Sequence, residues 1–148
     1  MQPKPPSASA TEMVQVVLPN DANPLGFILG GTVMHLIDIA GAIASFRHTR
    51  SRVVTAAVDD LVFLHPIKVG DLIILNARVT CAFSTSLEVQ VDVYSEESLT
   101  GIRTLTSRAY LTFVAIDEAG NRVGVPPLLL ESAEDERVAA QARARREQ

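Results

Sequence analysis

Val33, Met34, Leu36, Ile37, Ile39, Ala40, Ile43, Ala44 and Phe46 follow the pair Gly30-Gly31 without alternating, and together they cover nearly the whole circumference of a helix. A helix that is apolar all round is buried on most of its sides, so the rest of the chain has to wrap it. The surrounding stretch, LGFILGGTVMHLIDIAGAIASF, has about the length of a membrane span. His35 and Asp38 stand at its centre, where a charge costs about 2.5 to 3.5 kcal/mol on insertion scales. A helix enclosed by protein is the better reading, with no membrane insertion.

The covering material is β-structure. MVQVVLP precedes the helix as a strand, and PNDANPLG between them is loop chemistry, since these residues bond locally or break ladders. After residue 53 come RVVTAAVDDLVFL, LIILNARVTCAF, SLEVQVDVYSE and IRTLTSRAYLTFVAID, all rich in strand formers, with Pro66 and Gly70 marking a turn. Leu87, Val89, Val91 and Val93 alternate with Glu88, Gln90 and Asp92, which predicts an antiparallel sheet with one dry face and one wet face. VPPLLLESAEDERVAAQARARREQ predicts a final surface helix. Ser132 caps it, acids stand in its first turn, and Arg143, Arg145 and Arg146 stand in its last. One sheet curved round one helix satisfies this order of elements. It cannot enclose the helix completely, so the uncovered side predicts an obligate dimer.

A chain of 148 residues fits a single domain. We expect a disordered arm over 1–11, rich in Pro, Ser and Ala, a folded unit over 12–130, and the C-terminal helix or tail over 131–148. The net charge of -4 argues against a nucleic-acid surface, which needs clustered cations. Cys81, the single cysteine, reads as a small core or interface residue, and no Cys/His cluster is present to hold a metal. MQPKPPSASATE has no apolar run, so no secretory signal is expected and a cytoplasmic location follows by default.

Asp38 is the anomaly. A carboxylate inside a buried helix with no cation on that helix is costly to keep ionised, which suggests chemistry. A cap, or a pairing with His35 one turn away, is the structural alternative. Gly30-Gly31 sits at the helix start, where free N–H groups point outward and the missing side chains admit a carbonyl oxygen. The same pair also suits a tight entry turn. Asp38 lies seven residues beyond Gly31, roughly 10 Å along a straight helix at about 1.5 Å per residue. One carbonyl cannot touch both. Two antiparallel helices across a dimer axis would bring the Gly-Gly end of one to Asp38 of the other, giving two shared sites.

The blocks DANPLGFILGGTVMHLID, FLHPIKVGD, STSLEVQVDV, TGIRTLTSRAYLTFVAID and VPPL, in order from about residue 12 to 135, resemble the hotdog-fold acyl-CoA thioesterases of the cytosolic, broad-specificity type. The resemblance implies an α+β hotdog fold, with five or six antiparallel strands around one long helix. It implies a homodimer, commonly a trimer of dimers and so a hexamer, hydrolysing acyl-CoA to free acid and CoA. Coenzyme A is then part of the substrate, and no cofactor or metal is implied. Asp38 matches the catalytic acid, Asn23 the polar loop residue that faces it from the other subunit, and Gly30-Gly31 the turn whose amide polarises the thioester carbonyl. Phe63, Thr85 and Ser86 match positions along the pantetheine channel, with strand-end packing as the alternative. One departure stands out. Relatives carry Gly-Arg before the Thr/Ser-Ser pair, where this chain has Phe83-Ser84. Lys68, Arg103, Arg108 and the C-terminal arginines are candidates to meet the nucleotide phosphates instead, against a solvated helix end for the last group.

Two other functions compete with hydrolysis. A hydratase on this fold would need His five residues after the acid, and position 43 is Ile. A non-catalytic acyl-CoA binding or sensing protein would use Asp38 only structurally, and ligand retention without turnover would reveal it.

Overall fold

The computed structural model describes residues 1–59 and 61–148. Its elements run β1 (Thr11–Val16), α1 (Gly30–Thr49), β2 (Arg52–Val58), β3 (Leu72–Ala82), β4 (Ser86–Glu96), β5 (Arg103–Ile116) and α2 (Ala133–Arg146). The five strands form one antiparallel sheet in the order β1-β3-β4-β5-β2. Of the expected strand region 52–64, β2 occupies the first part; Asp60 lies outside the described residues, and 61–64 is not strand.

The sheet curls around α1, which contacts every strand. Alternation builds the dry face. Ile73, Leu75, Ala77 and Val79 of β3, Leu87, Val89, Val91 and Val93 of β4, and Ala109, Leu111, Phe113 and Ala115 of β5 meet Val33, Leu36, Ile37, Ala40 and Ala44 of α1. Gly41 lets the helix approach β5 closely: a Cβ there would stand 2.9 Å from Cε2 of Phe113. α1 ends at Arg50, a non-glycine residue in the left-handed region (φ 51°), whose N–H donates to Phe46 O at 2.7 Å.

The structure corrects two expectations. The outer face of β4 is not wet throughout, since Glu88 is 6% and Gln90 8% exposed. α2 lies over this face, burying Ala139 and Ala142, and Arg145 grips Glu88 through two hydrogen bonds of 2.7 and 3.0 Å. That ion pair raises the pKa of the Arg145 guanidinium, chiefly through the hydrogen bonds it donates to Glu88. Ser132 caps α2 as expected, its side chain accepting from Asp135 N–H at 3.1 Å.

Residues 1–11, expected as a disordered arm, are docked instead. Lys4 N–H donates to Pro127 O, Leu129 N–H donates to Lys4 O, and Pro6–Ala8 forms a 3-10 turn. Ser9 is fully buried and continues the line of β1; its Oγ accepts from Val79 N–H at 2.9 Å, beyond the last β1–β3 pair. A Pro- and Ser-rich composition resembles a flexible tail, yet Pro fixes φ and a serine hydroxyl can complete a ladder, so little entropy opposes docking.

Cys81 is buried, and burial pushes its thiol up. A register shift between Val79 and Cys81 places it opposite Glu88, on the side covered by α2.

Candidate active site

α1 is not enclosed on all sides. Gly31, Met34, His35 and Phe46 are exposed and Asp38 is half-buried, at positions that line up one stripe of the helix. Met34 is 48% and Phe46 44% exposed. On the neighbouring edge strand β2, Val58 lines the same cavity as Asp38, and the segment after it exposes Val62, Phe63 and Leu64. An exposed apolar face of this kind marks an interaction surface.

Asp38 stands in the middle of that face. Thr55 Oγ1 donates to its Oδ1 at 2.7 Å, and these two residues line a cavity of about 380 Å³ with Gly31, Met34, His35, Ile37, Val58, Leu61 and Leu111. Thr55 immediately precedes a register shift in the β2–β5 ladder, and such bulges re-aim side chains. The carboxylate therefore has one oxygen fixed and the other open to the groove. Sequence reasoning missed Thr55. It sits in an apolar strand, and only the tertiary packing of β2 against α1 brings it to Asp38.

A second cavity, of about 330 Å³, lies on the other side of the helix start and is lined by Asn23, Gly30 and Phe63 together with Phe27, Val33 and His65. The N–H groups of Gly30 and Gly31 make no hydrogen bond among the described residues, and nothing approaches within 4 Å of a Cβ placed on Gly31. The ring of Phe63 rests on Gly30, 3.4 Å from where its Cβ would be. Asn23 Oδ1 accepts from the backbone N–H of Leu25 (3.0 Å) and of Phe27 (3.2 Å). The turn-forming reading of Asn23 is thus met, and fixing Oδ1 in the turn leaves Nδ2 as the remaining donor.

Within one chain, then, Asn23, Gly30 and Phe63 are gathered in one cavity, and Gly31, Asp38 and Thr55 in another. Thr85 and Ser86 belong to neither. They form the β3–β4 turn, where Phe83 N–H donates to Ser86 O at 2.8 Å. Of the candidate cations, Arg103 pairs with Glu96 and Arg108 with Asp92 on the sheet, and Lys68 lies on the loop that bridges Phe27. Among the described residues no group of His, Cys, Asp and Glu could hold a metal ion, and no helix is long and apolar enough to cross a membrane.

Residues 25–102, more than half of the chain, match the thioesterase superfamily. The chain belongs to that superfamily. This superfamily member is 40% identical over 119 residues to an uncharacterized acyl-CoA thioester hydrolase of Bacillus subtilis, YkhA, a match covering 80% of the chain and 69% of that protein. The mammalian relatives it matches are longer, and it spans between 22% and 37% of them. A crystal structure of an apo-hexameric acyl-CoA thioesterase superimposes with a TM-score of 0.94 at 41% identity, covering 99% of this chain and 94% of that one. An acyl-CoA hydrolase from Staphylococcus aureus, solved with butyryl coenzyme A, coenzyme A and coenzyme A disulfide, gives 0.89 at 35% identity, covering 97% and 88%. It has also been solved as alanine variants of one asparagine, one aspartate and one threonine. The hotdog fold expected from sequence is the fold observed, with five strands.

Proposed function

We propose that this protein hydrolyses acyl-CoA thioesters to carboxylic acid and CoA at sites shared between two subunits. The observation that carries the reading is Asp38, held by Thr55 on the uncovered stripe of α1, about two helical turns from two glycine amides that have no partner among the described residues. Neither half is a complete site.

Antiparallel packing of two α1 helices completes both at once. If Gly31 of one helix faces Asp38 of the other, the two-fold axis crosses between Met34 and His35, since an isologous contact pairs residues symmetrically. The exposed apolar residues of α1 and β2 are then covered. The S. aureus variants support the residue choice: their asparagine, aspartate and threonine are separated by 15 and 17 residues, the separations of Asn23 from Asp38 and of Asp38 from Thr55. A hexamer, as in the structural relative, is the assembly this reading favours, and a cytoplasmic setting is in keeping with the cytosolic human relative.

The chemistry follows from the groups. Gly30 and Gly31 amides receive the negative charge that develops on the thioester oxygen, an effect worth about 2.7 to 4 kcal/mol per donor. Asn23 Nδ2, of the subunit that supplies the glycines, orients the carbonyl or the attacking water. Asp38 of the opposite subunit takes a proton from that water as its oxygen bonds to the carbonyl carbon, or attacks the carbon itself to give a mixed anhydride that water then opens. In both routes the C–S bond breaks, the thiolate leaves and is protonated, and no cofactor is consumed. Phe63 packs along the glycine turn, where it can guide the pantetheine arm, and Thr85 and Ser86 lie at the sheet end nearest Asp38–Thr55.

The test is release of free thiol from a series of acyl-CoA esters by wild type and by Asp38→Ala. The reading requires turnover by the first and near-complete loss in the second, with the fold intact by circular dichroism. Coenzyme A retained without turnover by the wild type would favour the binding or sensing alternative.

A further inference from the structure

Five arginines are neutralised by carboxylates: Arg52 by Glu118, Arg103 by Glu96, Arg108 by Asp92, Arg137 by Glu134 and Arg145 by Glu88. Arg146, the last residue of α2, pairs with no carboxylate among the described residues. It is nevertheless held in place. Its guanidinium lies 4.2 Å above the centroid of the Phe83 ring, and Nη1 donates to Ser86 Oγ at 3.1 Å. A cation fixed by an aromatic face and one hydroxyl, with its remaining N–H groups uncommitted among the described residues, is arranged to receive an anion.

Its surroundings fit a phosphate better than a carboxylate side chain of the protein. A cavity of about 200 Å³ opens there, lined by Phe83, Arg145, Arg146, Thr112 and Gln148, with Asp59 and Glu88 also on its wall. Glu88 is satisfied by Arg145 and by Thr80 Oγ1 at 2.6 Å, so its charge is already spent. Asp59 repels an anion from its own side of the cavity, which leaves the Phe83–Arg146 side to hold it.

Position decides what that anion belongs to. Ser86 pairs with Val114 of β5, and Val114 pairs with Val54 of β2, the residue before Thr55. Two strand spacings, about 10 Å, therefore separate the turn on which Arg146 packs from the strand that carries Thr55, whose side chain meets Asp38 on the α1 face of the sheet while Arg146 lies on the α2 face. An extended pantetheine arm reaches farther than that. We infer that Arg146, seated on Phe83 and Ser86, anchors the nucleotide end of coenzyme A through its phosphates, so that α2 is a substrate-binding element as well as a cover for the sheet. This rests on the hydrolase reading above, for the identity of the substrate. It assigns to the C-terminal helix a cationic contact that no residue of the β3–β4 turn itself can make, since Phe83, Ser84, Thr85 and Ser86 carry no charge.

The test compares kcat/KM for an acyl-CoA with that for the matching acyl-pantetheine thioester, which lacks the nucleotide. Arg146→Ala lowers the preference for the CoA ester by about tenfold, mostly through KM, and flattens its dependence on salt. Arg146→Lys, which keeps the charge but not the planar stack, recovers part of it. Arg137→Ala, on the same helix and paired with Glu134, keeps the wild-type preference. The Glu88–Arg145 clamp persists in every variant, so α2 stays docked. Calorimetric titration with adenosine 3′,5′-bisphosphate gives a readout independent of turnover, with binding by the wild type and a loss of about tenfold in Arg146→Ala. An unchanged preference, an equal loss on both esters, or undiminished binding of the bisphosphate by Arg146→Ala overturns the assignment. A wild type that binds the bisphosphate but releases thiol from neither ester contradicts the hydrolase reading while leaving the anchor standing.

Discussion

Asp38 is understood only with Thr55. The hydroxyl fixes Oδ1 at 2.7 Å and leaves Oδ2 free, so the threonine acts by holding the carboxylate in one orientation. A hydrogen bond to a charged group is worth about 1.5 to 3 kcal/mol. Thr55→Ala should therefore lower kcat by about ten- to a hundredfold, and Thr55→Ser should recover most of it, as read from steady-state thiol release. Gly41 makes the opposite kind of demand, one of space. A methyl at 2.9 Å from the buried Phe113 ring has to push helix and strand apart, so Gly41→Ala should destabilise the protein by about 1 to 3 kcal/mol in urea unfolding. Single residues were unevenly legible from the sequence. Asp38 stood out because an acid is anomalous in an apolar helix, and Gly30-Gly31 because of its position. Thr55 did not, since its side chain means something only after β2 has packed beside α1.

Among the elements, the long helix follows from its non-alternating apolar run and β4 from alternation. The other strands follow from strand-forming residues between turn signals, and the C-terminal helix from its serine cap and end charges. The placement of α2 was hidden from that reasoning. Alternation along β4 predicts a wet outer face, but Ala139 and Ala142 give α2 a small apolar surface that becomes visible only when Arg145 clamps Glu88. The docked N-terminal segment was hidden for a related reason, because ladder completion by Ser9 carries no periodic signal. This segment leads to a pH prediction. His48, at the end of α1, is fully buried; its Nε2–H donates to Pro126 O at 2.7 Å, and Nδ1 has no partner among the described residues. Burial lowers its folded-state pKa, and the nearby Lys4 charge lowers it further. The unfolded chain then binds the proton more readily, so the stabilisation is complete above the unfolded value of about 6.5 and is lost as pH falls through and below it. Urea midpoints should drop between pH 7.5 and pH 5, and His48→Gln should show a smaller drop.

For the whole molecule, the uncovered stripe of α1 and the exposed edge of β2 argue that one chain is half of a functional unit. The sequence supported a dimer by elimination, since one sheet cannot surround a helix; it could not show which helix positions meet. The proposed antiparallel arrangement would supply that, with the axis between Met34 and His35. His35→Cys should therefore be joined to its symmetry mate in high yield by a short bismaleimide in dilute solution, with Cys81 buried and unreactive. Recovery of monomer alone on a denaturing gel would contradict that axis. The most direct measurement of the shared site is subunit mixing. On the proposed reading, Asp38→Ala and Asn23→Ala should each inactivate every site in their own dimers. After equimolar exchange, confirmed by native mass spectrometry, half of the dimers are mixed and each has one site free of both substitutions. Activity should rise to about a quarter of the wild-type value. If exchange is complete and activity stays at the level of the separate variants, each site is built from a single chain and the account is wrong.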